Sequence, residues 1–266
     1  MDDSSQNKVI EIREVNAFYG DRQILSDISL DVYHREILVI MGHSGSGKTT
    51  LLRNILGLNH TASGTIKVLG KNLSELDRKG LFELRQQFGV AFQSGALFSS
   101  MNVLENVELP LHEHTRLDQN TIRIMARLKL ELMGLADNDA LMPAELSGGM
   151  LKRAGLARAV VMDPELLFFD EPSAGLDPVT SAELDELILQ LRDAMNMTIV
   201  VVTHELESAF KIADRITILD QGKQIMTGSK DEVMKSTDPR IINMLQRRSI
   251  NETVDADEYL DQLTRE

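Results

Sequence analysis

Cysteine and tryptophan are absent from the 266 residues, and there are only six prolines and 4% aromatic residues. Without cysteine there are no disulfide staples, thiolate nucleophiles or thiolate metal sites, which accords with a reducing cytoplasm. Long hydrophobic runs are missing as well. No apolar stretch approaches the roughly 20 residues that span a bilayer, so if the protein serves a membrane, another chain does the spanning. Positive charge is in deficit, with 28 Lys and Arg against 41 Asp and Glu and a net charge of −13. That balance repels phosphate backbones and anionic lipid heads, no basic run offsets it, and no nucleic-acid partner is expected. Met1 to Lys8 is polar and acidic and lacks the basic-then-apolar layout of a secretory signal.

What is present is ordinary for a globular chain: 42% hydrophobic and 26% charged residues, enough to bury a full core. The length suits one lobed α/β domain carrying an inserted subdomain. Apolar and polar residues alternate through Val9, Ile10, Ile12 and Val15, and again through Ile28, Leu30 and Val32, as in half-solvated antiparallel strands. Ile37 to Met41, Leu166 to Phe169 and Ile199 to Val202 are continuous apolar runs, the pattern of parallel strands covered on both faces. Between the last two, Asp177-Pro178 caps and starts a helical pattern through Leu184, Leu187, Ile188 and Leu191, the crossover of a βαβ unit. From about Ser94 to Ala159 the periodicity is helical throughout. Ile216 to Leu219 and Gln224 to Met226 flank Asp220-Gln221-Gly222-Lys223 and read as a hairpin.

Gly42-His43-Ser44-Gly45-Ser46-Gly47-Lys48-Thr49 fits G-x-x-x-x-G-K-[ST] and lies between an apolar strand and the helical Thr50-Leu51-Leu52-Arg53. Glycines let backbone N–H groups curl round phosphates, and the following helix points its positive end at them. Lys48 supplies a point charge for the β and γ phosphates of ATP, and Thr49 a hydroxyl for Mg²⁺. Leu166 to Phe169 ends in Asp170-Glu171, which places two carboxylates at the carboxyl edge of the sheet. Asp170 is expected to hold Mg²⁺ through water and Glu171 to orient or deprotonate the attacking water.

Leu146-Ser147-Gly148-Gly149 opens another helix, one helix length before the Asp170-Glu171 strand. With these elements in this order the chain resembles the ABC ATPase family, over nearly its whole length. The resemblance implies a P-loop NTPase core with an antiparallel β subdomain and an inserted helical subdomain. The ATPase domain would cover residues 1–246, with the helical part at about 94–160, and a tail would occupy 247–266. It further implies that Tyr19 stacks on adenine, although an aromatic filling the β subdomain would look the same in sequence. Gln93 corresponds to the loop glutamine that reaches Mg²⁺ and water, Asp177 to the loop crossing a dimer interface, and His204 to the switch histidine at the γ-phosphate. Family members hold ATP between the Lys48-type loop of one subunit and the Ser147-Gly148-Gly149-type helix of a second, so a homodimer with two competent sites is implied.

Met150 departs from the glutamine common after the two glycines and leaves that residue's nucleotide contacts in doubt. Leu-Ser-Gly-Gly-Met, Phe92 to Phe98, Met101-Asn102-Val103, Glu113-His114-Thr115 and Leu141-Met142-Pro143 are similar to the branch that powers MCE-protein phospholipid transport, the Mla system. That resemblance implies a peripheral subunit on the cytoplasmic face of the inner membrane. Its partners would be a permease dimer, a periplasmic MCE-domain protein and a cytoplasmic STAS-domain protein, and its cargo phospholipid. Phe98, Met101 and Leu104 are either the floor of a permease groove or internal core. Tyr259, Leu260 and Leu263 are either a clip onto the neighbouring subunit or part of a solvated end. A small-solute importer ATPase, a non-transport ABC ATPase and a P-loop kinase are the competing readings. The last would leave Ser147 and His204 without a task.

Overall fold

The computed structural model describes residues 7–246. The tail residues Tyr259, Leu260 and Leu263, and hence the clip, lie outside them. The chain opens with two long strands, β1 (Lys8–Tyr19) and β2 (Arg22–Tyr33), followed by the short β3 (Ile37–Met41) and helix α1 (Lys48–Ile55). A second pair, β4 (Ser63–Val68) and β5 (Lys71–Asn72), precedes α2 (Arg78–Arg85) and β6 (Phe88–Ala91). Then come three helices without a strand between them: α3 (Val103–His114), α4 (Gln119–Leu132) and α5 (Gly148–Val160). The remainder alternates: β7 (Leu166–Asp170), α6 (Pro178–Met195), β8 (Thr198–Thr203), α7 (Leu206–Ile212), β9 (Arg215–Asp220), β10 (Lys223–Ser229), α8 (Lys230–Met234) and α9 (Pro239–Leu245).

Two sheets divide these strands. The first is antiparallel, ordered β2-β1-β4-β5, and matches the alternating pattern at the start of the sequence. Glu14 has φ 49°, and the register with β2 shifts between Ile12 and Val15, as a bulge requires. The second sheet runs β10-β9-β3-β8-β7-β6, and all its pairings are parallel except β10 with β9. The three continuous apolar runs are its centre: every residue of β3 and β8 is buried, as are Leu166 to Phe169. Burying each such aliphatic or aromatic side chain contributes roughly 1.5–3 kcal/mol. One cluster of buried residues joins the lower face of this sheet to the antiparallel sheet and α1; a larger one joins the other face to α3, α4, α5, α6 and α7.

The hairpin is present, and its first strand does more than the sequence pattern implied: β9 also pairs in parallel with β3. The crossover helix is present too, with Asp177 as its N-cap accepting from the N–H groups of Val179 and Thr180, and Pro178 in the first turn. Strand β6 is an addition to the sequence reading. Its Gly89 and partly covered Phe88 give no continuous apolar signal, yet this edge strand pairs with β7 and delivers the chain to Gln93.

Candidate active site

Parallel strands end at one edge of the sheet, and at that edge lies an open cavity of about 1220 Å³. Gly42, His43, Ser44 and Gly45 line it from the loop after β3, followed by Gly47, Lys48, Thr49 and Thr50 as the chain enters α1. Ser46 is the exception in that loop: it is buried and its hydroxyl lies under Gly42. Gly47 takes φ 101°, and a Cβ there would stand 2.7 Å from Leu25 Cδ2, so this turn tolerates no side chain. As N-cap it offers no side-chain acceptor, which leaves the first N–H groups of α1 without a side-chain cap where Lys48, Thr49 and Thr50 line the cavity.

Lys48 is 7% exposed. Its Nζ donates to the carbonyl of Gly42 at 2.8 Å and of His43 at 3.2 Å, and lies 3.8 Å from Glu171 Oε1. Burial pushes its ammonium below the usual lysine range, while the charges of Glu171 and Asp170 pull it back up. Thr49 Oγ1 is 3.5 Å from Asp170 Oδ1, which the end of β7 carries to the same point. Burial raises the Asp170 carboxyl above the ordinary aspartate value and the neighbouring Glu171 charge adds to this; Thr49, Arg53 and Lys48 oppose it. Thr49 and Asp170 bring a hydroxyl and a carboxylate together, and Gln93 lines the same cavity as Thr49; oxygen donors of this kind suit Mg²⁺.

Glu171 lines the cavity in a left-handed backbone conformation, φ 53°. Its N–H donates to Val202 O at 2.8 Å, which keeps the residue in step with β8. Its Oε2 stands 2.8 Å from His204 Nδ1 and 3.3 Å from the His204 backbone nitrogen. A carboxylate at the end of one strand and an imidazole just past the next are therefore brought together, with Lys48 on the carboxylate's other oxygen.

Other residues of the sequence reading do not line this cavity. Tyr19 is 72% exposed at the end of β1, facing Arg22 across the hairpin; Arg22 and Ile24 line the cavity and Tyr19 does not. Ser147, Gly148, Gly149 and Asp177 lie elsewhere, where the starts of α5 and α6 meet: Gly148 faces Leu176, and Gly149 faces Thr180. Ser147 caps α5 by accepting from the Met150 N–H at 3.3 Å, and the Met150 side chain packs against the larger core. Asp177 is fully exposed, and hydrogen bonds from Thr180 and Val179 hold its carboxyl below the ordinary value.

Sequence reading missed Glu205, Leu206 and Glu207, which also line the cavity, and Met244, which reaches it from α9. Their position next to His204 could have suggested the first three. Nothing in the pattern singled out Met244, some 200 residues from the loop it faces.

Residues 25–174 match the family described as ABC transporter. The chain belongs to that family. It is accordingly an ATP-binding and ATP-hydrolysing subunit. It is 42% identical over 241 residues to the intermembrane phospholipid transport system ATP-binding protein MlaF of Haemophilus influenzae, covering 91% of each protein. It is 39% identical to the probable ribonucleotide transport ATP-binding protein mkl of Mycobacterium leprae, covering 91% of this chain and 70% of the relative. Among solved structures, cbiO1 from Clostridium perfringens superposes with a TM-score of 0.80 at 28% identity, covering 96% of this chain and 99% of that one. The cassette MJ0796, solved as a dimer, superposes with a TM-score of 0.77 at 30% identity, covering 83% of this chain and 98% of that one.

Proposed function

We propose that this subunit powers the movement of phospholipid between the inner and outer membranes of a Gram-negative envelope, and so maintains outer-membrane lipid asymmetry. The observation that carries the reading is the 42% identity, across 91% of both chains, to a protein named for that transport. ATP is bound with its phosphates against Gly42 to Thr50, with Lys48 released from its carbonyl partners to pair with the β and γ phosphates. Tyr19 supports the adenine from the end of β1. Thr49, Asp170 and Gln93 would hold Mg²⁺, which supplies charge neutralisation on the phosphate oxygens when bound. Glu171, oriented by His204, takes the proton of the attacking water, and His204 contacts the γ-phosphate.

The remaining predicted residues belong to a second copy. Ser147, Gly148 and Gly149 sit at a helix start away from this chain's own cavity, which suits them to the γ-phosphate held by a partner, and Asp177 stands beside them to cross the same interface. ATP then joins two copies, and loss of the γ-phosphate lets them part. No helix among the described residues is long and apolar enough to cross a membrane. The subunit is held to the cytoplasmic face of the inner membrane by a permease dimer, with an MCE-domain protein on the periplasmic side and a STAS-domain protein bound in the cytoplasm. The 247–266 segment is a candidate clip onto the neighbouring ATPase; deleting it should weaken dimerisation, and unchanged dimerisation would dispose of it.

A second reading, a small-solute importer ATPase, draws support from the 39% identity to a protein named for ribonucleotide transport. Purifying the native complex from membranes and identifying its proteins and lipids by mass spectrometry separates the two. An MCE-domain protein with phospholipid supports the first reading, and a solute permease with its binding protein replaces it with the second.

A further inference from the structure

Lys152 sits on α5, five positions after Ser147, and is half-buried away from the cavity lining. Its Nζ donates to the carbonyl of Pro172 and, at 2.6 Å, to that of Ala174. Both acceptors lie in the turn immediately after Glu171. Burial pushes this ammonium below the usual lysine range, and the negative charges of Glu205 and Glu171 partly restore it. Lys152 is thus a partly desolvated cation whose donors hold the loop of the proposed base.

That loop needs holding. Glutamate rarely adopts φ near +50°, and such a conformation persists only where its surroundings over-determine it. At Glu171 the observed φ is 53°. The N–H bond to Val202 O fixes its first side, and Ala174 N–H donates to Glu171 O at 3.3 Å across the turn. The two carbonyls that this turn leaves over, at Pro172 and Ala174, are the ones Lys152 takes. No other side chain on α5 bonds to this turn. Arg153, the next residue, makes a partly exposed ion pair with Glu183 of α6 at 2.6 Å.

We infer that Lys152 is a positioning residue for Glu171: it fixes the turn behind the base and links it rigidly to the helix that begins at Ser147. The inference rests on the proposed roles of Glu171 and Ser147. If the start of α5 seats on a nucleotide held by a second copy, a shift of that helix reaches the turn behind this chain's own base through Lys152, beside the chain that joins α5 to β7. The two sites of a dimer would then be coupled mechanically, with Lys152 as the connecting rod.

The test uses the full-length protein and Mg-ATP, comparing wild type, Lys152→Met, Lys152→Gln, Lys152→Arg and Glu171→Gln. Steady-state hydrolysis, affinity for a fluorescent ATP analogue and thermal midpoint are measured for each. Lys152→Met keeps the length of the stem and removes the ammonium. Its kcat should fall about 10- to 100-fold, the cost of displacing a base by a fraction of an ångström to an ångström. KM and analogue affinity should stay within about twofold, since no ground-state contact to nucleotide is lost. Lys152→Gln, which reaches less far and is uncharged, should fall likewise, and Lys152→Arg should recover most of the rate. Unchanged kcat in Lys152→Met and Lys152→Gln, with Glu171→Gln inactive, would overturn the inference alone. So would a loss of rate matched by loss of nucleotide affinity and of thermal midpoint that arginine does not restore. Hydrolysis at the wild-type rate by Glu171→Gln would overturn the base assignment, and the inference with it.

Discussion

His204 Nδ1 lies 2.8 Å from Glu171 Oε2, across the loops that leave β8 and β7. The imidazole is 59% exposed and the carboxylate 15%, so the histidine covers the proposed base from the solvent side. Replacing Glu171 with Gln keeps the shape and removes the basic oxygen. ATP binding should persist while turnover falls by about 10²- to 10⁴-fold, the usual worth of a positioned base. Phosphate-release kinetics beside equilibrium nucleotide binding check this, and rapid turnover would mean that the base lies elsewhere.

Lys48 makes its present contacts with two carbonyls of its own loop. Lys48→Ala strips a buried donor from the Gly42 carbonyl and a cation from beside Glu171, and should cost about 1–3 kcal/mol in folding. It should cost most of the affinity for triphosphate. Calorimetric titration with ATP is the measurement, and near wild-type affinity would contradict the assignment of the cradle.

Gly155 on α5 packs against the backbone of the loop that carries Gln93. A Cβ at this position would meet Gly95 O at 2.7 Å and Gly95 Cα at 3.0 Å, and Arg158 donates to the same carbonyl at 3.1 Å. Gly155→Ala must push loop and helix apart. A loss of about 1–3 kcal/mol is expected, as for other overpacked sites. Chemical denaturation measures it, and a stability equal to wild type would show the contact to be loose.

The Gly155 contact also marks where sequence reading stops. Continuous apolar runs made β3, β7 and β8 legible, and the glycine-lysine loop and Asp170-Glu171 followed from what stands at their ends. Strand β6 was not legible, because an edge strand of four residues containing Gly89 has neither alternation nor an apolar run. Lys152 looked like any helical lysine; its role depends on a turn twenty residues later folding back over it. For Ser147 and Asp177 the sequence resemblance suggested a site, and a single chain holds them away from its own cavity.

Asp185 and Ser208 form a buried hydrogen bond between α6 and α7, 4% and 3% exposed. Burial raises the Asp185 carboxyl above the ordinary aspartate value, against the opposing bond from Ser208 and charge of Lys211. A raised value in the folded state means that folding favours the protonated form. The stabilisation from this proton is complete below the ordinary aspartate value and is lost as pH rises through the raised one. Asp185→Asn accepts the same hydroxyl bond and does not titrate. The thermal midpoint of wild type relative to this variant should therefore rise as the pH is lowered from neutral into the carboxylate range. A constant difference across that range would show that Asp185 is not titrating there. Ser208→Ala, which strips a buried acceptor of its donor, should cost about 1–3 kcal/mol.

The sandwich of a triphosphate between the Lys48 loop of one copy and the Ser147 helix of another is tested most directly by mass in solution. Light scattering on the Glu171→Gln variant with saturating Mg-ATP should give twice the 29.7 kDa of a single chain, and one chain's mass with ADP. Adding Ser147→Arg, which changes only the helix start away from the cavity, should return the ATP sample to a single chain while leaving ATP bound. A dimer that forms equally well with Ser147→Arg, or no dimer with ATP at all, would contradict it.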